Sequence, residues 1–178
     1  MRTKQKVALF GSLRTLVVSA IFVALSIILG KYLAIPGGNV LRFSFENLPV
    51  LLSGIAFGPF VGMAVGIVAD LLGSLLRGYD INLILTLGAA VIGLVGGILF
   101  RLSRSLAELP RVILTVAVAH LLGSVVIKTL GLALFYDMPL YELMLWRLLN
   151  YIIVGALEIV IIYSLMRNKT LRTYLSIH

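Results

Sequence analysis

The stretch LRFSFENLPVLLSGIAFGPFVGMAVGIVADLLGSLLRG, Leu41 to Gly78, is apolar over most of its length, yet it carries Arg42, Glu46, Asp70, Arg77 and a run of glycines. A charged side chain at the centre of a membrane helix costs about 2.5–3.5 kcal/mol on insertion scales, so such groups turn toward protein or water. The stretch therefore reads as two helices of a membrane bundle whose polar residues face inward, toward a bound solute or a partner helix. Gly58-Pro59 separates the two, because proline suits a first helical turn and not a helix interior.

The rest of the chain agrees. It has 178 residues, 61% hydrophobic and 12% charged, with a mean hydropathy of +1.12, whereas a soluble domain is about a quarter charged. An all-α membrane protein is expected, one integral-membrane domain over residues 1–178. A spanning helix needs about 20 apolar residues, and six segments qualify or nearly do: 13–35, 46–57, 59–76, 83–101, 110–135 and 141–166. The second is short and has Pro49 near its start. The first exceeds a signal-peptide core and is followed by further spans, so it reads as a transmembrane helix. Cysteine is absent, which removes disulfides, thiol catalysis and Cys-ligated metals from consideration.

Lysine and arginine orient the bundle. Arg2, Lys4, Lys6 and Arg14 precede or open the first segment; Arg101, Arg104 and Arg111 flank the 102–109 connection; Arg167, Lys169 and Arg172 lie in the tail. That places ten of fifteen basic residues on one side, which the positive-inside rule assigns to the cytoplasm together with both termini. A net charge of +8 thus reads as a topology signal, with no nucleic-acid partner implied. The outer connections are then 36–45, 77–82 and 136–140, rich in glycine, proline, aromatics and charge, as binding loops are.

Inside the helices the polar residues are ordered. Gly62, Gly66, Asp70, Ser74 and Arg77 form one stripe, His120, Ser124 and Lys128 a second, and Arg147, Asn150, Val154 and Glu158 a third, each at three- or four-residue spacing. Asp70 and His120 fall near mid-depth, Lys128 and Arg147 toward the outer face, and Glu158 nearer the cytoplasm. Three such stripes can line one cavity. Bland alternatives stand beside this: Asp70 as an ion-pair partner of Lys128 or Arg147, His120 as a hydrogen-bonded packing residue, Arg77 as a snorkelling anchor, and Trp146 with Tyr141 as an aromatic belt.

Small residues recur four apart at Gly58, Gly62 and Gly66, at Gly93 and Gly97, and at Ala20 and Ala24. This spacing lets helix backbones approach closely in lipid, within the bundle or against another membrane protein. No Walker-type G-x-x-x-x-G-K-[ST], H-E-x-x-H or G-x-S-x-G motif occurs, so neither nucleotide binding by that loop nor the corresponding hydrolase chemistry is supported. No enzyme is expected.

The chain resembles the substrate-binding S components of energy-coupling factor (ECF) vitamin transporters, in particular the folate-specific type. The likeness covers essentially the whole chain. It rests on the Ala20–Ala24 A-x-x-x-A spacing in the first helix, on LRFSFENLPVLLSGIAFGPFVGMAVGIVADLLGSLL, and on RLLNYIIVGALEI in the last. The resemblance implies a passive binder in a prokaryotic cell membrane that captures a vitamin, folate first among the choices, at the outer face. It implies docking through Ala20 and Ala24 on a transmembrane coupling subunit served by two ATPases, with no cofactor and no metal. It implies a site near the outer surface, where this chain has Arg42, Phe43, Tyr79, Asn82, Lys128, Tyr136, Trp146, Arg147 and Asn150, with Asp70, Arg77 and His120 on the adjoining stripes. Aromatic rings and amides suit a pterin, and arginine or lysine suits a dianionic glutamate tail. The competing readings are an S component for pyridoxine, a pyrimidine or pantothenate, and an ion-coupled secondary carrier using Asp70, His120 and Glu158.

Overall fold

The computed structural model describes residues 12–37, 41–137 and 139–168; the side chains of Arg42 and Tyr136 fall outside what it describes, as do Arg2, Lys4, Lys6, Lys169 and Arg172. Helix α1 (Leu13–Ile27) is started by Ser12, whose hydroxyl accepts from the Thr15 N–H, and it loosens into a π turn over Ile28–Tyr32. It ends short of residue 35 because the chain must fold back onto the start of the next helix. Gly30 lies so close to Glu46 that a Cβ there would stand 2.7 Å from the Glu46 Cβ, and Ser26 Oγ donates to the Glu46 carbonyl at 2.6 Å. Ile35 then belongs to a short antiparallel ribbon, β1 (Ile35–Gly37) with β2 (Leu41–Phe43), in the register Ile35 to Phe43. This ribbon is an addition to the expected helical bundle.

Helix α2 (Asn47–Phe57) is buried on every face from Asn47 to Ile55, the mark of a core helix. At 1.5 Å per residue it rises about 16 Å, half the hydrocarbon thickness. Gly58, at φ 108°, ends it in a conformation glycine tolerates, and Pro59 opens α3 (Pro59–Leu76). Helix α4 (Leu83–Leu102) packs against both. Here the glycine ladders are consumed: a Cβ on Gly62 would meet Gly54 Cα and Gly93 O at 2.6 Å, and one on Gly97 would meet Pro59 Cα at 2.6 Å. The Ala20–Ala24 spacing has another fate. Both alanines are exposed, beside exposed Leu16, Val17, Ile21 and Leu25, while Val18, Ser19, Phe22 and Ser26 face the core.

The remaining chain forms α5 (Glu108–Ala119), a π segment over His120–Ile127, α6 (Lys128–Tyr136) and α7 (Leu140–Arg167). Between α6 and α7 the chain turns through Asp137 in the left-handed conformation. Among the described residues five helical stretches are long and apolar enough to cross a membrane: Leu13–Gly30, Pro59–Leu76, Leu83–Leu102, Glu108–Phe135 and Leu140–Arg167; Asn47–Phe57 is a shorter apolar helix. The protein is thus a multi-pass helical membrane protein.

Candidate functional site

The π segment shapes the site. Its register joins the Lys128 N–H to the Gly123 carbonyl, five residues back, and such bulges re-aim backbone groups at functional positions. The Ser124 carbonyl here accepts Nε and Nη2 of Arg147, at 3.3 and 3.1 Å, across from α7. Arg147 Nη2 also reaches Tyr151 Oη at 3.4 Å. The guanidinium is half-buried, about 10 Å along α7 from its N-terminal end at 1.5 Å per residue. Among the described residues no carboxylate lies within ion-pairing distance of it. The acceptors it meets there are neutral.

Ser124 also links the other stripes. Its hydroxyl lies 3.1 Å from His120 Nδ1 and accepts from the Asn47 amide at 3.5 Å. His120 Nε2 lies 2.5 Å from Glu158 Oε2, and the imidazole stacks on Tyr151 with centroids 4.9 Å apart. His120 and Glu158 are both buried. On the other flank Lys128 Nζ donates to Glu46 Oε1 at 3.0 Å and to Asn47 Oδ1 at 3.5 Å. Asp70 accepts from Thr86 Oγ1 at 2.7 Å, so its partner is a hydroxyl, not Lys128 or Arg147. Asp70, Glu46, Asn47, Ser26 and Lys128 border a space of about 20 Å³, the size of one water. A larger groove of about 330 Å³ runs between α5 and α7, apolar, with His120 and Tyr151 on its wall.

Of the residues expected at the site, His120, Lys128 and Arg147 are therefore joined through Ser124 and Asn47, Asp70 borders the same small space as Lys128 while bonded to Thr86, and Asn150 is buried on the same helix face as Arg147. Asn82 is buried but committed elsewhere: Oδ1 caps α4 by accepting from the Ile84 and Leu85 N–H groups, and Nδ2 donates to the Gly131 carbonyl at 3.0 Å. Arg77 is exposed and lies 4.8 Å from the Tyr32 ring centre. Tyr79 and Trp146 are about half exposed, at 47% and 49%. Phe43 is half-buried on β2, which packs against α7. Glu46, Asn47 and Tyr151 were missed as site residues. Glu46 was visible as an acid in an apolar stretch, but its partner lies 82 residues away.

Residues 14–175 match the family described as ECF transporter, substrate-specific component, a family of transport proteins rather than enzymes. Among curated proteins, the folate transporter FolT of Clostridium novyi (strain NT) is 26% identical over 148 residues, covering 82% of this chain and 83% of that protein. Among solved structures, that of FolT bound with folic acid aligns with a TM-score of 0.70 at 25% identity, covering 86% of this chain and 93% of that one.

Proposed function

Because this chain belongs to the family of ECF transporter substrate-specific components, we propose that it captures folate at the outer face of a prokaryotic cell membrane. A transmembrane coupling subunit with two ATPases then drives its release inward. In this reading the chain crosses the membrane six times, α2 counting as the second crossing, with both termini cytoplasmic. The likeness to the two folate proteins supports the choice of vitamin. Phe43, Tyr79 and Trp146 supply aromatic walls around the outer end, and Arg77 steers an anion toward them. Asn150, Asp70, His120 and Lys128 line or support the deeper part, and Asn82 fixes the outer end of α4 against α6.

The observation that carries the proposal is Arg147. A half-buried guanidinium bonded to a carbonyl and a phenol is poised to receive a carboxylate of the glutamate tail, since charge-assisted bonds are about twice as strong as neutral ones. The ion-coupled carrier finds less support, because Asp70 bonds Thr86 while His120 bonds Glu158. Arg147→Ala is expected to weaken folic acid binding at least about tenfold, about 1.4 kcal/mol. Calorimetric titration of the purified variant measures this. An unchanged affinity in a variant with wild-type melting behaviour would remove Arg147 from the site.

A further inference from the structure

Arg147 and Lys128 offer an anion unequal terms. Arg147 meets neutral acceptors, whereas Lys128 already holds a carboxylate, that of Glu46. The Lys128 side chain is 7% exposed and that of Glu46 27%, so the lysine is sealed in and the acid sits nearer the reachable side. The backbone of Glu46 is fixed: its carbonyl accepts from Ser26 Oγ at 2.6 Å and its N–H donates to Ser44 Oγ at 3.2 Å. Its carboxylate packs against Gly30, where a Cβ would stand 2.7 Å from Oε2, so the negative charge is held beside Lys128. Asp70 borders the same small space but is bonded to Thr86, so among the described residues Glu46 is the acid that ion-pairs with Lys128.

We infer that Glu46 is an internal counter-anion that competes with the ligand's own carboxylate for Lys128, and thereby sets how strongly the site discriminates anionic from neutral ligands with the same ring system. A buried ammonium stranded without a counter-charge is strongly destabilising, and Glu46 supplies that charge before a ligand arrives. A ligand carboxylate that reaches Lys128 must displace Glu46 or crowd it with a like charge. Part of the new charge-assisted contact is then offset by the old one. Glu46 is a specificity-determining residue on this view, acting against anion affinity. The inference rests on the folate reading and adds a residue to it.

The test compares folic acid with its diamide, in which both tail carboxylates are neutral amides of the same size. In Glu46→Gln, folic acid is expected to bind about tenfold more tightly than in the wild type, with the diamide little changed. In Lys128→Met that gain disappears, and adding Glu46→Gln to it changes nothing further. A Glu46→Gln protein that melts normally and binds folic acid no better, or tightens equally for both compounds, would overturn the inference. If Glu46→Gln does not fold, Glu46→Asp, which shortens the reach to Lys128, must show a smaller gain in the same direction or the inference fails. Should neither compound bind the wild type, the folate reading falls by itself. The counter-anion role is then read from melting at constant ionic strength: replacing gluconate with chloride must stabilise Glu46→Gln and not the wild type. No difference between the two proteins would end it.

Discussion

Ala20→Trp and Ala24→Trp are expected to block assembly with the coupling subunit and ATP-driven uptake, leaving vitamin binding by the isolated chain intact. The two alanines stand about 6 Å apart along α1 at 1.5 Å per residue. They are exposed, within a strip of exposed Leu16, Val17, Ile21 and Leu25, while the other face of α1 packs inward. In lipid there is no hydrophobic drive between helices, so close backbone approach supplies the attraction and side-chain volume at the contact is critical. The glycine ladders of α2, α3 and α4 already use this device inside the bundle; among the described residues nothing covers the alanine strip, which leaves it to use the device outside. Co-purification with the coupling subunit and calorimetry on the isolated variants are read together. Loss of both properties would mean internal packing, and loss of neither would remove this face from docking.

Glu158→Ala is expected to be the most damaging single change to stability. The carboxylate is fully buried and lies 2.5 Å from His120 Nε2. Removing one member of such a pair leaves the other buried without its partner, at about 3–5 kcal/mol in soluble proteins. Hydrogen bonds between membrane helices average nearer 0.6 kcal/mol, but here the imidazole is also fixed by Ser124 and by stacking on Tyr151, so a loss toward the upper figure is expected. The double variant His120→Leu with Glu158→Leu, which leaves neither polar group, should melt closer to the wild type than Glu158→Ala does. Detergent melting of the three proteins checks this. Additive damage in the double variant would show that the two residues contribute separately.

Much of the bundle was legible because its signals are local. Gly58-Pro59 marks the α2–α3 boundary, and the four-residue spacing of His120, Ser124 and Lys128 does place all three inside one network. What escaped depends on distant partners or on backbone register. The end of α1 is set by Gly30 and Ser26 meeting Glu46, not by any break in apolar character. The π segment leaves no compositional trace, since HLLGSVVI reads as ordinary apolar helix. Glu46 at a segment border reads as an acid at a helix start, and its pairing with Lys128 exists only in the folded chain. Asn82 looked like a ligand amide, yet its position just before α4 is also that of an N-cap, and the cap is what formed. Gly62-Gly66 and Ala20-Ala24 share one spacing but face opposite ways, a difference no spacing can encode.

Titration of folic acid into the purified, full-length chain in detergent tests the substrate assignment most directly. One molecule should bind per chain with a Kd below about 1 µM, equivalent to about −8.2 kcal/mol or stronger, and a pteridine absorbance should accompany protein purified from folate-containing medium. A chain that melts cooperatively and binds pyridoxine, pantothenate or a pyrimidine with that affinity, while giving no heat with folic acid, would contradict it.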